Sequence, residues 1–135
     1  MLASSFSPKQ DNNPSFRYLS YDVSSFHVLD YTDYYVDLSA TSITSPPVWN
    51  KEYTFSSTYE IYGGVNTTSY GNLYNQLSKS GHSLFDIWFS NFVQQSDQVS
   101  QSNSKSDYLC AFINLDKDSL GNCMGKKISK PTHTD

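Results

Sequence analysis

FHVLDYTDYYVDLS, residues 26–39, is the stretch on which the fold turns. β-branched and aromatic residues dominate it, and acidic residues interrupt it at Asp30, Asp33 and Asp37. That composition reads as a strand. Just upstream, SFRYLSYD (15–22) alternates, with Phe16, Tyr18 and Ser20 on one face and Arg17, Leu19 and Tyr21 on the other. VSS (23–25) lies between the runs as a turn, so the pair predicts an antiparallel hairpin. Aromatics on both faces of the second run predict a sheet covered on both sides. Before the hairpin, LASSF (2–6) reads as a short strand and PKQDNNP as a loop.

Downstream the period changes. VWNKEYTFSSTYEI (48–61) sets Trp49, Tyr53, Thr58 and Ile61 near helical spacing, with Phe55 and Tyr59 four apart. Pro47 stands where such a helix would start, and Gly63–Gly64 where it would stop. SYGNLYNQLSKS (69–80) aligns Tyr70, Leu73, Tyr74 and Leu77 on one stripe, with Gly81 as its stop. HSLFDIWFSNFVQQ is a strongly apolar helix. SDYLCAFINL is helical again, with Ser106 or Asp107 as its N-cap, and a short helix after Asp118 returns Cys123 beside it. Strands followed by helices predict an α+β fold: an N-terminal antiparallel hairpin of two or three strands, then a lobe of about four helices. The expected domain covers 1–124, with strands within 2–39 and helices within 48–124, and 125–135 form a polar tail.

With 135 residues, one domain is expected, and a chain of this size buries about two thirds of its unfolded surface. Aromatics make up 16% of it, including eleven Tyr and eight Phe, which argues against disorder throughout. QQSDQVSQSNSKSD (94–107) has Val99 as its only apolar residue and reads as a surface loop. Net charge is −4 and Arg17 is the only arginine, and no basic cluster stands outside Lys126, Lys127 and Lys130, so no nucleic-acid partner is expected. Lys126, Lys127 and Lys130 read as part of a solvated end. No apolar run is long enough to span a membrane. MLASSFSPKQ lacks the basic and apolar regions of a signal peptide.

Both cysteines lie in CAFINLDKDSLGNC (110–123). As a calcium loop counted from Asp116, the segment has Leu120 at position five and Lys127 at position twelve, where ligands are needed. Two Cys and the scattered His27, His82 and His133 do not make a zinc finger, and the spacing is not C-x-x-C. Two buried thiols or a disulfide across a helical hairpin remain. A bridge over this loop stabilises by roughly 3 kcal/mol and implies an oxidising compartment. Asn66-Thr67-Thr68 is a glycosylation sequon in a stretch, GGVNTTSYG, that reads as exposed. These hints of secretion conflict with the absent signal peptide. Either the cysteines are reduced in a cytosolic protein, or Met1 is not the native start.

NPSFRYLSYD, HVLDYTDYYVDLS, VWNKEYTFSSTYEI, YGNLYNQL and CAFINLDKDSLGNC occur in an order that resembles the C-terminal region of acid sphingomyelinase-like phosphodiesterases. The resemblance covers about 2–124. It implies a disulfide between Cys110 and Cys123 that closes the last helical hairpin, a secreted or lysosomal protein, and helices packed beside a catalytic domain. A further cysteine pair common in the family just upstream is missing from SNSKSDYL. The resemblance also implies hydrolysis of phosphodiester bonds at a two-zinc site, where the metals activate water and clamp phosphoryl oxygens. Its ligand motifs (DxH, GDxxx, GNHE, GHxH) do not occur here. No catalytic residue, metal ligand or cofactor is therefore assigned to this chain.

The remaining candidates read structurally. His27 is expected in a strand with a hydrogen-bonded ring, and His82 at a helix start. Asp33 and Asp37 are expected on one face and Asp30 on the other, at a solvated edge or paired with Arg17. SLFDIWFSNFV carries no Lys or Arg to attract anionic lipid and reads as a packed helix. The chain is therefore read as a C-terminal subdomain that supports a metallophosphoesterase domain and is inactive alone. The alternative is a free-standing, self-associating interaction protein derived from the family.

Overall fold

The protein is described by a computed structural model, which covers residues 11–42, 44–79, 82–97 and 104–125. Within these residues three strands precede five helices: β1 (Ser15–Tyr21), β2 (Val28–Val36), β3 (Trp49–Thr54), α1 (Phe55–Tyr59), α2 (Thr67–Lys79), α3 (His82–Phe92), α4 (Lys105–Ile113) and α5 (Lys117–Met124). The expected α+β order is thus observed. The strand expected at 2–6, the Gly81 stop, Val99, the lysines at 126, 127 and 130, and His133 lie outside the described residues. The chain divides into two compact units, Met1–Ser100 and Gln101–Asp135.

In the first unit the sheet order is β1-β2-β3, all antiparallel, with Arg17 opposite Asp33 and Asp33 opposite Tyr53. β1 and β2 are the hairpin that the alternating residues predict. Its turn is tied by Asp22, whose Oδ1 accepts from the backbone N–H groups of Ser24 and Ser25 at 2.9 and 2.8 Å. Those bonds, led by the Ser24 hydroxyl, hold the Asp22 carboxyl down to about 2.

β3 corrects the helix expected from residue 48. Trp49 and Tyr53 are four apart, a spacing that a helix face and a strand can both produce. Here Asn50 and Lys51 pair with Tyr35 and Tyr34, so the second edge of β2 is satisfied by a ladder. Pro47 precedes that strand rather than a helix. Of the expected helix only α1 forms, around the buried Phe55 and Tyr59. Its own N-cap, Thr54, makes no side-chain capping bond, and its hydroxyl lies 2.8 Å from that of Thr32. Asp30 of β2 does that work instead: Ser56 N–H donates to its Oδ1 at 3.1 Å, and the Ser56 hydroxyl donates to its Oδ2. The helix stops at Glu60, in the left-handed region at φ 53°, before the glycines. Gly64 serves a close approach: Val65 N–H donates to the Val28 carbonyl at 2.8 Å, and a Cβ on Gly64 would stand 3.1 Å from that oxygen.

The core of this unit joins Tyr31, Phe55 and Tyr59 to Leu73, Leu77 and Phe85 of α2 and α3, all buried. Tyr31 and Phe55 stack at 5.1 Å, and Phe55 meets Tyr59 at 5.6 Å. The opposite face differs from the expectation of cover on both sides. There Phe16 stacks on Tyr34 at 5.1 Å and meets Trp49 edge-on at 4.8 Å, and Trp49 stays 43% exposed. These aromatics cover one another.

In the second unit α4 starts at Ser104, whose Oγ accepts from Asp107 N–H at 3.2 Å. The cap therefore precedes the Ser106 or Asp107 expected; Asp107 is the donor three residues on. Asp116 caps α5 by accepting from Ser119 N–H at 2.8 Å, and Gly125 ends it at φ 63°.

Candidate functional site

The densest polar chemistry lies on the buried face of the sheet. Arg17 and Asp33 face each other across β1 and β2. Nε and one terminal nitrogen of Arg17 donate to the two Asp33 oxygens, each at 2.6 Å. Both side chains are nearly enclosed, at 14% and 6% exposure. The guanidinium lies 3.8 Å from the centre of the Tyr31 ring. Burial alone would pull the arginine down; the Asp33 hydrogen bond and nearby charge outweigh it and raise it above its ordinary value. The pairing of Arg17 with the strand carboxylates, expected from the sequence, is therefore realised at Asp33.

Tyr53 and Tyr59 complete this wall. Tyr53 lies edge-on to Tyr31 at 5.9 Å and to Tyr59 at 5.9 Å, and its hydroxyl donates to that of Tyr31 at 3.4 Å. Burial pushes the hydroxyls of Tyr31, Tyr53 and Tyr59 well above the usual phenol range, so all three stay neutral. Asn91 of α3, itself buried, donates from Nδ2 to the Tyr59 hydroxyl at 3.0 Å.

Glu52 enters the same region through a register break. β2 advances from Asp33 to Tyr34 while β3 steps from Tyr53 to Lys51, which leaves Glu52 as the extra residue of a bulge. Its Oε1 accepts from Gln95 Nε2 at 3.4 Å, and its Oε2 is buried without a hydrogen-bond partner. Burial, then the Asp33 charge, pushes its carboxyl up to about 8. Nothing in the sequence marks Glu52. A helical reading of 48–61 hides it, because a bulge depends on the partner strand.

The other sequence candidates lie apart from this wall. Asp30 caps α1. Asp37 forms a turn after β2, accepting from Ser39 N–H at 2.9 Å. His27 is a correction: it is exposed in the loop before β2 rather than within the strand, because the Asp22 turn continues until the His27 carbonyl accepts from Asp22 N–H at 2.9 Å. His82 is the first residue of α3, as its sequence context indicates. In α3, Phe85 and Asn91 are buried, while Ile87 and Phe92 are 47% and 37% exposed. No helix among the described residues is long and apolar enough to cross a membrane.

Asn66 is exposed and occupies the N-cap position of α2. Its Oδ1 accepts from Ser69 N–H at 3.0 Å, and its own N–H donates to Ser69 Oγ at 2.7 Å. That reciprocal pair satisfies two backbone donors at once. Cys110 of α4 and Cys123 of α5 are joined by a disulfide, with Cα atoms 5.7 Å apart. Among the described residues, no group of three or more His, Cys, Asp or Glu could hold a metal ion.

The hairpin displays a second kind of surface. Tyr18, Tyr21 and Phe26 are 67%, 53% and 75% exposed, and Tyr21 lies against Phe26 at 6.4 Å. Phe26 adopts φ 58°, a conformation rare for an aromatic residue. Among the described residues β1 pairs with β2 alone.

Comparison with known proteins agrees with this architecture. Residues 2–130 match the family model described as the acid sphingomyelin phosphodiesterase C-terminal region. The human cyclic GMP-AMP phosphodiesterase SMPDL3A is 29% identical over 118 residues, which cover 86% of this chain and 26% of that protein. Sphingomyelinase phosphodiesterase D of Dictyostelium discoideum is 35% identical over 60 residues, 44% of this chain and 14% of that protein. Sphingomyelin phosphodiesterase B of the same organism is 27% identical over 107 residues, 75% of this chain and 16% of that protein. The chain thus spans about a quarter or less of the length of these relatives. It belongs to the acid sphingomyelin phosphodiesterase C-terminal region family.

Proposed function

We propose that this chain is the structural C-terminal subdomain of a phosphodiester hydrolase and that it acts by docking on a catalytic domain in cis. The observation that carries the reading is the match of residues 2–130 to a C-terminal region, together with the quarter share of the human relative's length. The catalytic domain would supply the zinc ligands, water activation and phosphoryl clamping. This chain's own residues would shape and brace one side of it. The exposed Tyr18, Tyr21 and Phe26 of the hairpin are the surface assigned to that contact, since clustered exposed aromatics favour a protein partner.

The reading includes an oxidising compartment, secreted or lysosomal, supported by the Cys110–Cys123 bridge. It also includes an N-glycan on Asn66. The sugar would attach at Nδ2, and Oδ1 would remain free to accept from Ser69 N–H and keep α2 capped. Thr68→Ala removes the sequon without touching the cap. It should eliminate a glycosidase-sensitive mass increment in the native protein; an unchanged mass would remove the glycan from this reading.

The deciding experiment assays the purified 135-residue chain with zinc and bis-(p-nitrophenyl) phosphate, beside mass spectrometry of the native polypeptide. The expected outcome is no hydrolysis above buffer and native peptides encoded upstream of Met1. Chelator-sensitive hydrolysis by the chain alone would overturn the structural role. A native N-terminus at Met1 with self-association would replace it with a free-standing interaction protein, for which the same exposed aromatics would be the contact.

A further inference from the structure

We propose that Thr44 and Ser45, in the loop between β2 and β3, carry an O-linked sugar. The inference rests on the oxidising compartment proposed above and adds a site distinct from Asn66.

The composition of the loop is the first observation. SATSITSPP (39–47) sets five hydroxyl residues, Ser39, Thr41, Ser42, Thr44 and Ser45, ahead of Pro46 and Pro47. Serine and threonine massed beside proline is the composition of O-glycosylated segments. Each proline lacks a ladder donor, and Pro46 disfavours helix at Ser45 before it. β2 ends at Val36 and β3 begins at Trp49, so neither strand reaches into this stretch. Ser39, Ser42, Thr44, Ser45, Pro46 and Pro47 are all exposed. A transferase can reach such side chains, and a sugar on them displaces nothing from the core.

The hydroxyls are not equivalent, and their hydrogen bonds separate them. Ser39 Oγ donates to Asp37 Oδ1 at 2.6 Å, and Thr41 Oγ1 donates to the Asp37 carbonyl at 2.8 Å. A sugar on either oxygen removes the proton that makes the bond. Ser42 Oγ accepts from Ser45 N–H at 3.1 Å, inside a turn that two backbone bonds between Ser42 and Ser45 also close, each at 3.2 Å. A sugar on Ser42 would crowd that donor. Thr44 Oγ1 lies 3.1 Å from Ser42 Oγ, and either can donate. With a sugar on Thr44, Ser42 donates and the glycosidic oxygen accepts, so the bond survives. Among the described residues Ser45 Oγ has no hydrogen-bond partner. Thr44 and Ser45 are thus the two positions where a substituent removes no hydrogen bond from the loop.

The class of substituent follows from the compartment. In an oxidising compartment, which the Cys110–Cys123 bridge supports, the chain meets glycosyltransferases rather than cytosolic kinases. The co-reactant is a hexose or N-acetylhexosamine activated as a nucleoside diphosphate sugar. The hydroxyl oxygen bonds to the anomeric carbon as the bond from that carbon to the diphosphate breaks. The diphosphate leaves with the electron pair of that bond, and the hydroxyl proton passes to solvent.

Trypsin releases the loop in one peptide, residues 18–51, since no Lys or Arg lies between Arg17 and Lys51. The test maps that peptide by electron-transfer fragmentation, from native protein isolated without reduction and treated with an N-glycosidase. The expected result is a sugar increment on Thr44 or Ser45 that the N-glycosidase does not remove. The increment should vanish completely when Thr44→Ala and Ser45→Ala are combined. If that variant does not fold, the wild-type map still decides. An unmodified peptide from protein with the Cys110–Cys123 bridge intact overturns this inference and leaves the compartment standing. An unmodified peptide from protein with free thiols overturns both. A phosphate on the loop, or a sugar confined to Ser39, Thr41 or Ser42, also overturns the assignment.

Discussion

The sheet unit and the α4–α5 hairpin keep their shape by different means. In the first, rings from four elements interlock around a buried ion pair, and the large side chains of Phe55, Leu77 and Phe85 are almost wholly enclosed. In the second, among residues 104–125 only Cys110 and Gly121 are buried, and Leu115 is 98% exposed. A segment so short cannot enclose enough apolar surface to offset the chain entropy of ordering it. Its order comes instead from one covalent bridge and from caps at Ser104 and Asp116. Packing serves where there is volume to fill, and a crosslink serves where there is little.

The largest break in that comparison falls on the first unit. Asp33→Ala takes from the enclosed Arg17 guanidinium the carboxylate it bonds twice. Stranding one member of an enclosed ion pair is expected to destabilise by about 3–5 kcal/mol. Urea unfolding followed by tyrosine fluorescence should show the loss. Replacing both Arg17 and Asp33 with apolar residues of similar volume should recover much of it. A single Asp33→Ala effect below about 1 kcal/mol would mean that water already reaches the pair.

Next is the staple. Cys110→Ala with Cys123→Ala opens a loop of sequence separation 13, and the expected loss is about 3 kcal/mol in the chain-entropy account. The loss should be local. Hydrogen exchange should accelerate in 105–124 and stay unchanged at Leu73 and Leu77. Equal acceleration in both regions would show that the two units unfold as one and would dissolve the contrast.

This contrast also explains which parts of the molecule were legible in the sequence. The hairpin was, because alternation in 15–22 and the β-branched and aromatic composition of 26–39 are both local signals. A pairing of the one arginine with a strand carboxylate was legible too, but the choice of Asp33 over Asp30 and Asp37 is made by the register. Helix α2 was legible from its apolar stripe, α3 from its apolar composition, α4 from SDYLCAFINL, and α5 from the short return that brings Cys123 beside Cys110. β3 was not, because Trp49 and Tyr53 suit either period and the deciding term is the unpaired edge of β2, which lies far away in the chain. Asp30 as the cap of α1 and Glu52 as a bulge residue share that cause: each depends on the neighbouring strand. His27 was misplaced because the Asp22 turn is longer than the composition of VSS suggests.

A smaller effect is expected at Asn66. Asn66→Ala removes the acceptor for Ser69 N–H and half of a reciprocal pair, with an expected loss of about 1 kcal/mol. Asn66→Asp keeps an acceptor there and should retain most of the stability while it removes the sequon. Thermal unfolding of both, without glycan, separates cap from sugar. Equal losses for the two would place the role of Asn66 in its Nδ2 group.

The smallest expected effect sharpens the comparison at its other end. Asp116 caps α5 from full solvent exposure, and its carboxyl is held below its usual value by the backbone N–H of Ser119, with the Ser119 hydroxyl second. The folded value is depressed, so the cap's contribution is present above the ordinary 3.8 and disappears as pH falls through the folded value. This runs opposite to Glu52, whose contribution is complete in acid. The pH responses of the two regions should therefore cross. On acidification from neutrality to about 4.5 the sheet unit gains stability from Glu52; below the ordinary 3.8 the amides at the start of α5 lose protection, and so do those of the Asp22 turn. Asp116→Asn, which still accepts a hydrogen bond but carries no charge, should abolish the loss in α5 and leave the gain in the sheet untouched. Exchange rates at Ser119 and Leu120, corrected for the intrinsic effect of pH, measure the first response. The urea midpoint of the sheet unit measures the second. A sheet unit that loses stability between neutrality and about 4.5 would show that Glu52 does not govern that response.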